Sequence, residues 1–102
     1  MAIVSATSKS GNGHRATIAQ LRRSSASISA NIAEGCSQPS QDQFARFLSI
    51  AIGSTTESHN HLLLLRDTAA LPADQVTDLL DRVTNLRPAL IKLHRLASQR
   101  QK

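Results

Sequence analysis

The sequence predicts an all-α fold, an up-and-down helical bundle in which three long helices run near-antiparallel. Three stretches carry apolar residues at alternating spacings of three and four, as on one face of a helix. Glycine and proline are scarce, with 4 and 3 residues among 102, which disfavours a β-rich chain with many turns. At this length we expect one domain.

The first predicted helix runs from about His14 to Glu34, and Gly35 is expected to end it in a positive-φ conformation. Before it, residues 1–13 lack periodicity and are rich in Ser, Gly and Asn, so we interpret them as a disordered tail or linker. Residues 14–98 are the predicted helical domain, and residues 99–102 a basic tail. The seam of this helix consists of Ile18, Leu21, Ser25, Ile28 and Ile32.

Two other faces of the first helix differ from its seam. One contains only alanine and permits close approach of another backbone, whereas the other is polar and carries Arg23, Ser27 and Asn31. We interpret the alanine face as the packing surface for a fourth helix or a neighbouring subunit, with a glycine of the second helix contributing to it. This predicted face comprises Ala19, Ala26, Ala30, Ala33 and Gly53.

The second predicted helix begins after Ser40, which forms a capping-box pattern with Gln43. Asp42 in its first turn suits the helix dipole. Its seam keeps heptad spacing throughout, although two polar residues make its middle a predicted weak point. The seam comprises Phe44, Leu48, Ala51, Thr55, Ser58, Leu62 and Leu65.

The third predicted helix follows a turn near residues 69–71, with Pro72 in its first turn. Pro88 points away from the apolar face, so we expect it to bend this helix rather than to break it. The seam comprises Val76, Leu79, Val83, Leu86, Leu90, Leu93 and Ala97.

The charge balance is the first indication of function. Twelve Lys and Arg oppose seven Asp and Glu, which gives a net charge of +5 and a pI of about 10.7. A basic surface favours polyanions such as nucleic acids, although a soluble basic protein without such a partner has the same balance. Two Phe are the only aromatic residues, so base stacking is not expected and contacts should be with the backbone, at low sequence specificity.

Particular cations are candidates for phosphate contact. We favour phosphate contact for Arg23, whereas Arg22 could equally form a salt bridge with an acidic residue. The cations in the second half of the third helix either complement the dipole at the helix C-terminus or contact a phosphate backbone. The predicted nucleic-acid-binding residues are Arg22, Arg23, Asn31, Arg46, Arg87, Lys92, Arg95 and Arg100.

The sequence nominates no catalytic residue, metal site or cofactor. His59 and His61 diverge by about 200° on a helix and cannot share a metal ion unaided. Cys36 is the single cysteine, which fits a reducing compartment. We find no signal peptide and no apolar run long enough to span a bilayer, and we therefore expect a cytoplasmic, non-enzymatic protein that does not enter membranes.

Two motifs resemble the four helix bundle protein family, whose members are encoded in intervening sequences of bacterial 23S rRNA genes. The motifs are Ser-Ile-Ser-Ala-Asn-Ile-Ala-Glu-Gly at residues 27–35 and Phe-x-x-Phe-Leu-x-x-Ala-x-Gly-Ser at residues 44–54, within a similarity that covers about residues 18–97. The family is similar to the accessory variability proteins of diversity-generating retroelements, which form basic five-fold barrels that bind nucleic acid and a reverse transcriptase. The resemblance implies a homo-oligomeric bundle subunit, with a pentamer as its expected form and no established enzymatic activity.

The chain departs from the family pattern at three places. The family begins with a long amphipathic helix that residues 1–13 do not supply, because the start is misplaced, the helix is lost or another packing replaces it. Ser29 stands where the family often has proline, and Thr55 and Thr56 stand where it favours apolar residues. We therefore predict three helices of a four-helix bundle that lacks its first helix, and expect self-association to compensate.

Two functional hypotheses follow. The first is a self-associating subunit that binds RNA or DNA through an arginine-rich surface. The alternative is a protein-interaction scaffold or accessory subunit that docks a nucleic-acid enzyme such as a reverse transcriptase.

Overall fold

A computed structural model describes residues 14–99, which form three α-helices and no strand. We label them α1 (Arg15–Cys36), α2 (Gln41–Asp67) and α3 (Ala73–Gln99). The predicted all-α fold is confirmed for these residues, and a fourth helix is not among them. The predictions for residues 1–13 and 100–102 lie outside the described residues.

The central helix is α2, which packs against both neighbours, whereas α1 and α3 hardly contact each other. Two apolar clusters show that consecutive helices are antiparallel, because each joins the start of one helix to the end of the next. The first cluster contains Ile18, Leu21, Leu62, Leu65, Leu71, Val76 and Leu79. The second contains Ile28, Leu48, Ala51 and Leu90, with Ile32, Phe44, Ile52 and Leu86 packed against it.

A polar layer separates the two clusters. The Ser24 and Ser58 hydroxyl oxygens lie 2.8 Å apart, and Ser24 Oγ donates to the Leu21 carbonyl at 3.1 Å. Thr55 Oγ1 donates to the carbonyl of Ile52 at 2.6 Å. The α2 seam was predicted correctly, and its polar middle is buried with every hydroxyl hydrogen-bonded.

The predicted seam of α1 was wrong at its central position, where Ser24 rather than Ser25 faces the core. Ser24 is buried, whereas Ser25 is only half-buried. Ser24 lies on the side of α1 that faces α2, where its hydroxyl group is hydrogen-bonded to that of Ser58.

The predicted role of Gly35 as a positive-φ helix end was wrong. No described glycine has positive φ, and α1 continues through Gly35 to Cys36. The carbonyl of Glu34 accepts from Ser37 Oγ at 2.8 Å and from Gln38 Nε2 at 3.1 Å, so side chains cap this end. A Cβ at Gly35 would lie 3.0 Å from Phe47 Cβ, and close approach of α2 explains the glycine.

The start of α2 and its end are both fixed by local hydrogen bonds. Ser40 Oγ accepts from the backbone N–H of Gln43 at 3.2 Å, as predicted, and the Ser40 hydroxyl donates to Gln43 Oε1 at 3.3 Å. At the other end Ala69 adopts φ 53, and the N–H of Ala70 donates to the Leu65 carbonyl at 3.1 Å. This is a Schellman ending with alanine where glycine is usual.

The third helix is continuous across Pro88, which is exposed, in agreement with the prediction that Pro88 does not break it. The predicted α3 seam fails at one position. Leu93 is 40% exposed because no described helix covers this side of α3, and Leu96 beside it is 47% exposed.

Candidate nucleic-acid interface

Two surface depressions lie along the α2–α3 contact, and we refer to them together as the α2–α3 groove. The first has a volume of about 430 Å³ and is bounded by Thr56 and His59 of α2 and by Thr84, Arg87 and Pro88 of α3, with Val83 beside them. Arg87 Nε donates to Thr56 Oγ1 at 3.2 Å. This hydrogen bond joins the two helices and orients the guanidinium at the groove.

The second depression, of about 400 Å³, continues the groove toward the start of α2 and the end of α3. It is lined by Arg46 and Ser49 of α2 and by His94 of α3, with Asp42, Ala45 and Ser98 around them. His94 is one heptad after Arg87, and Ser49 one heptad before Thr56, so both depressions lie on one face of the helix pair. Two helical turns, about 10 Å, separate them.

The groove is predominantly basic. Arg46, Arg87 and two histidines line it, and Asp42 is the one carboxylate among the described lining residues. Lys92 and Arg95 are exposed on the same half of α3. Arg66–Asp67 and Arg82–Asp78 are ion pairs among the described residues, and Arg46, Arg87, Lys92 and Arg95 form none with a described carboxylate.

A second groove lies between α1 and α2 and contains Arg23 and Ser27 of the polar stripe predicted on α1. Its volume is about 710 Å³, and Arg23, Ser27, Gly53, Glu57 and His61 are among its lining residues. Ser54 Oγ donates to Ser27 Oγ at 2.8 Å across the helices. Glu57 places a carboxylate in the same groove as Arg23, so this groove is less favourable for a phosphate than the α2–α3 groove.

Of the predicted nucleic-acid-binding residues, Arg23 lines the α1–α2 groove, and Arg46 and Arg87 line the α2–α3 groove. Asn31 Nδ2 donates to Ser27 Oγ at 2.9 Å and to the Ser27 carbonyl at 2.8 Å, so this amide is engaged within α1. Arg22 and Arg23 are exposed on α1. Arg100 lies outside the described residues.

Sequence reasoning missed Thr56, Thr84 and the two histidines as members of the α2–α3 groove. The heptad spacing of Arg87 and His94 was a usable signal for one helix. The pairing of α3 with α2 was needed to bring Thr56 and His59 to the same place.

The predicted packing face of α1 points away from the neighbouring described helices. Ala26, Ala30 and Ala33 are exposed, and Ala19 is half-buried. A Cβ at Gly53 would meet no atom within 4 Å. These positions leave room for a partner, and no described part of the chain occupies it.

Two further observations concern the described residues alone. Between residues 14 and 99, no three His, Cys, Asp or Glu residues are arranged to hold a metal ion. In the same range no helix has the length and apolar character needed to cross a membrane.

Comparison with known proteins places the chain among helical proteins of one family. The family model described as 23S rRNA-intervening sequence protein matches residues 2–92, so the match begins well before the motifs recognised in the sequence. A crystal structure of a protein of unknown function from the S23 ribosomal protein family of Bacteroides thetaiotaomicron is 29% identical, with a TM-score of 0.73. The similarity covers 76% of this chain and 72% of that chain. No protein with curated annotation matches.

Proposed function

This chain belongs to the family of 23S rRNA-intervening sequence proteins, and from that premise we propose that it is a non-enzymatic, self-associating helical subunit that binds the RNA or DNA backbone. The α2–α3 groove carries the proposal, because Arg46, Arg87 and two histidines line it with a single carboxylate. Lys92 and Arg95 are further exposed cations on the same half of α3, and neither lines the groove.

The chemistry of the groove favours phosphate over base recognition. Arginine binds phosphate oxygens through two parallel N–H groups, and exposed cations displace condensed counterions from a nucleic acid. The two Phe residues, Phe44 and Phe47, are half-buried and neither lines the groove, so they offer no platform for base stacking there. Binding should therefore vary little with sequence and fall steeply with salt.

The test is binding to a mixed-sequence RNA and a DNA duplex at increasing salt. If Arg46, Arg87, Lys92 and Arg95 each neutralise one phosphate, log K should fall with log[salt] with a slope of about 3 to 4. Absence of binding at low salt would overturn the proposal.

A pair of matched variants distinguishes binding by the groove cations from binding by the overall net charge. Arg46→Gln with Arg87→Gln removes two groove cations and should weaken binding by about tenfold or more. Arg66→Gln with Arg82→Gln removes the same charge from residues already paired with Asp67 and Asp78. Equal losses in both double variants would show that diffuse charge, rather than the groove, is responsible.

Self-association is the second part of the proposal. Leu93 and Leu96 on α3 and the alanine face of α1 are exposed, and α1 and α3 hardly contact each other. A second copy of this chain would cover these surfaces in place of the fourth helix that the family resemblance implies, and a pentamer is the form expected from that resemblance. A monomeric mass in sedimentation equilibrium across the micromolar range would exclude it.

A protein-interaction scaffold is the alternative function, and the exposed stripe of Ala26, Ala30 and Ala33 favours it. The partner would be a nucleic-acid enzyme such as a reverse transcriptase. Charge reversal at Arg23 and Arg95 separates the two functions. Partner capture that survives while RNA binding is lost would assign the two roles to different surfaces.

A further inference from the structure

We infer that the depression between Thr56, His59, Thr84 and Arg87 is a specific binding site for a single phosphate ester group. The inference deepens the proposed function and rests on it in part, since it identifies one phosphate-binding position within the α2–α3 groove. The depression is a distinct feature of the groove, because side chains from both helices converge there around one oriented guanidinium.

The orientation of Arg87 is the first step of the argument. Its Nε–H is held by Thr56 Oγ1 at 3.2 Å, and Thr56 in turn donates to the carbonyl of Ile52 at 3.4 Å. The terminal N–H groups of Arg87 have no hydrogen-bond or ion-pair partner among the described residues. A guanidinium fixed through Nε presents those groups as a planar fork, and this geometry matches two phosphate oxygens.

Neutral donors surround the guanidinium. The Thr84 hydroxyl makes no hydrogen bond within residues 14–99, and it lines the same depression. His59 lies on α2 one turn beyond Thr56, and an imidazole carries at least one N–H donor in either of its protonation states. Together these side chains offer donors from both helices to an anionic group.

The walls of the depression favour an ester over a bare ion. Val83 and Pro88 supply apolar surface, and the volume of about 430 Å³ exceeds that of a phosphate group alone. No carboxylate is among the described residues that line the depression, so no lining side chain carries a negative charge that would repel an anion. A phosphate bound by Arg87 can therefore place its attached sugar against the Val83 and Pro88 side chains.

The test is a titration of the ¹⁵N-labelled full-length chain, followed by NMR of its backbone amides and arginine Nε–H groups. Uridine monophosphate and a short single-stranded RNA are the two phosphate sources, and uridine is the control without phosphate. We expect saturable shifts of Arg87 Nε–H and of the His59 and Thr84 amides with both phosphate sources. Uridine should cause none, and equal shifts with uridine would overturn the inference.

Variants of Arg87 and Arg82, two of the arginines on α3, provide the matched comparison. Arg87→Gln should weaken uridine monophosphate binding by at least about tenfold. Arg82→Gln carries the same charge change at a residue paired with Asp78, and it should leave affinity within about twofold. Equal losses in the two variants would overturn the inference, as would unchanged affinity in Arg87→Gln.

A third variant tests the orienting role of Thr56. Thr56→Val removes the acceptor of Arg87 Nε–H but leaves every charge in place. We expect a smaller loss of affinity than in Arg87→Gln, with a changed Nε–H shift in the free protein. An unchanged Nε–H shift would show that Thr56 does not position Arg87.

The outcomes distinguish this site from the proposed function. Saturable binding of uridine monophosphate without RNA binding would refute the proposed function and leave the phosphate site standing. RNA binding that is unaffected by Arg87→Gln would refute the phosphate site and leave backbone binding by other cations standing.

Discussion

The side-chain oxygens of Ser24 and Ser58 lie 2.8 Å apart at the middle of the α1–α2 interface. Both residues are buried, and the Ser58 side chain is among those with no exposed surface. The arrangement that satisfies both hydroxyl groups has Ser24 donating to the Leu21 carbonyl and Ser58 donating to Ser24. This pair of hydroxyl groups lies between the two apolar clusters of the core.

The first prediction follows from the acceptor role of Ser24 and the donor role of Ser58. Ser24→Ala removes the acceptor and leaves a buried donor on Ser58, so the free energy of unfolding should fall by about 1 to 3 kcal/mol. Ser24→Ala with Ser58→Ala removes both partners and should cost less than the sum of the single changes. Denaturant unfolding at one fixed protein concentration measures these values.

Ser29→Ala is the control for the serine series. Ser29 Oγ donates to the Ala26 carbonyl at 3.3 Å on the exposed side of α1, so its removal should change stability by at most about 0.5 kcal/mol. A Ser24→Ala variant as stable as Ser29→Ala would show that the buried hydroxyl pair does not stabilise the fold.

Replacement by alanine should change the stability of the protein in opposite directions at the two helical glycines. A methyl group at Gly35 would lie 3.0 Å from Phe47 Cβ and 3.1 Å from Phe44 Cδ1. Gly35→Ala therefore requires Phe44 and Phe47 to move by a few tenths of an ångström, and because Phe47 Cβ is attached directly to the α2 backbone we expect a loss of about 1 to 3 kcal/mol. Gly53 faces open space, and Gly53→Ala should gain up to about 1 kcal/mol from helix propensity.

Thermal and denaturant unfolding of both variants at the same concentration tests this pair. If Gly53→Ala weakens self-association while it stabilises the subunit, Gly53 belongs to the interface that the sequence predicts. Two alanine variants that change stability with the same sign would contradict the glycine prediction.

Ala69 is the third position at which we expect a substitution to change the free energy of unfolding in a definite direction. Its φ of 53 is a left-handed conformation that an L-residue adopts at a cost of about 1 to 2 kcal/mol. Ala69→Gly removes this cost but makes the unfolded chain more flexible, so we expect a net gain of about 0.5 to 1 kcal/mol. Ala73→Gly, an exposed change at the start of α3, is the control and should not stabilise the protein.

The fold was largely predictable because the helix periods and the caps are local properties of the sequence. The α2 seam and the Ser40 cap follow directly from residue spacing. The end of α1 was not predictable in the same way. Gly35 suits either a positive-φ helix end or a close helix contact, and only the packing against Phe44 and Phe47 distinguishes the two.

The candidate site was predictable only in part, because it depends on the register between helices. The cations of α3 could be picked out by their charge. The partnership of Arg87 with Thr56 spans 31 residues of sequence and follows from how α3 pairs with α2. Thr56 looked like a departure from an apolar family pattern, and the structure gives it a hydrogen-bonding role.

The exposed leucines near the end of α3 give the last prediction. Leu93 and Leu96 are 40% and 47% exposed, and the described helices leave this side of α3 uncovered. If a second copy of the chain packs there, Leu93→Gln with Leu96→Gln removes apolar surface from the interface and should shift the mass toward the monomer. The fold of each subunit should persist, because both side chains lie outside the two core clusters.

Ile50→Gln with Leu64→Gln is the matched control for the leucine pair. These two residues are 46% and 51% exposed and belong to α2 rather than α3, so their replacement should leave the mass unchanged if the α3 leucines form the interface. Sedimentation equilibrium at several concentrations compares the three proteins, with circular dichroism to verify helix content. Loss of association in the α2 control alone would move the interface from α3 to the outer side of α2. An unchanged mass in both double variants would refute the role of the α3 leucines in self-association.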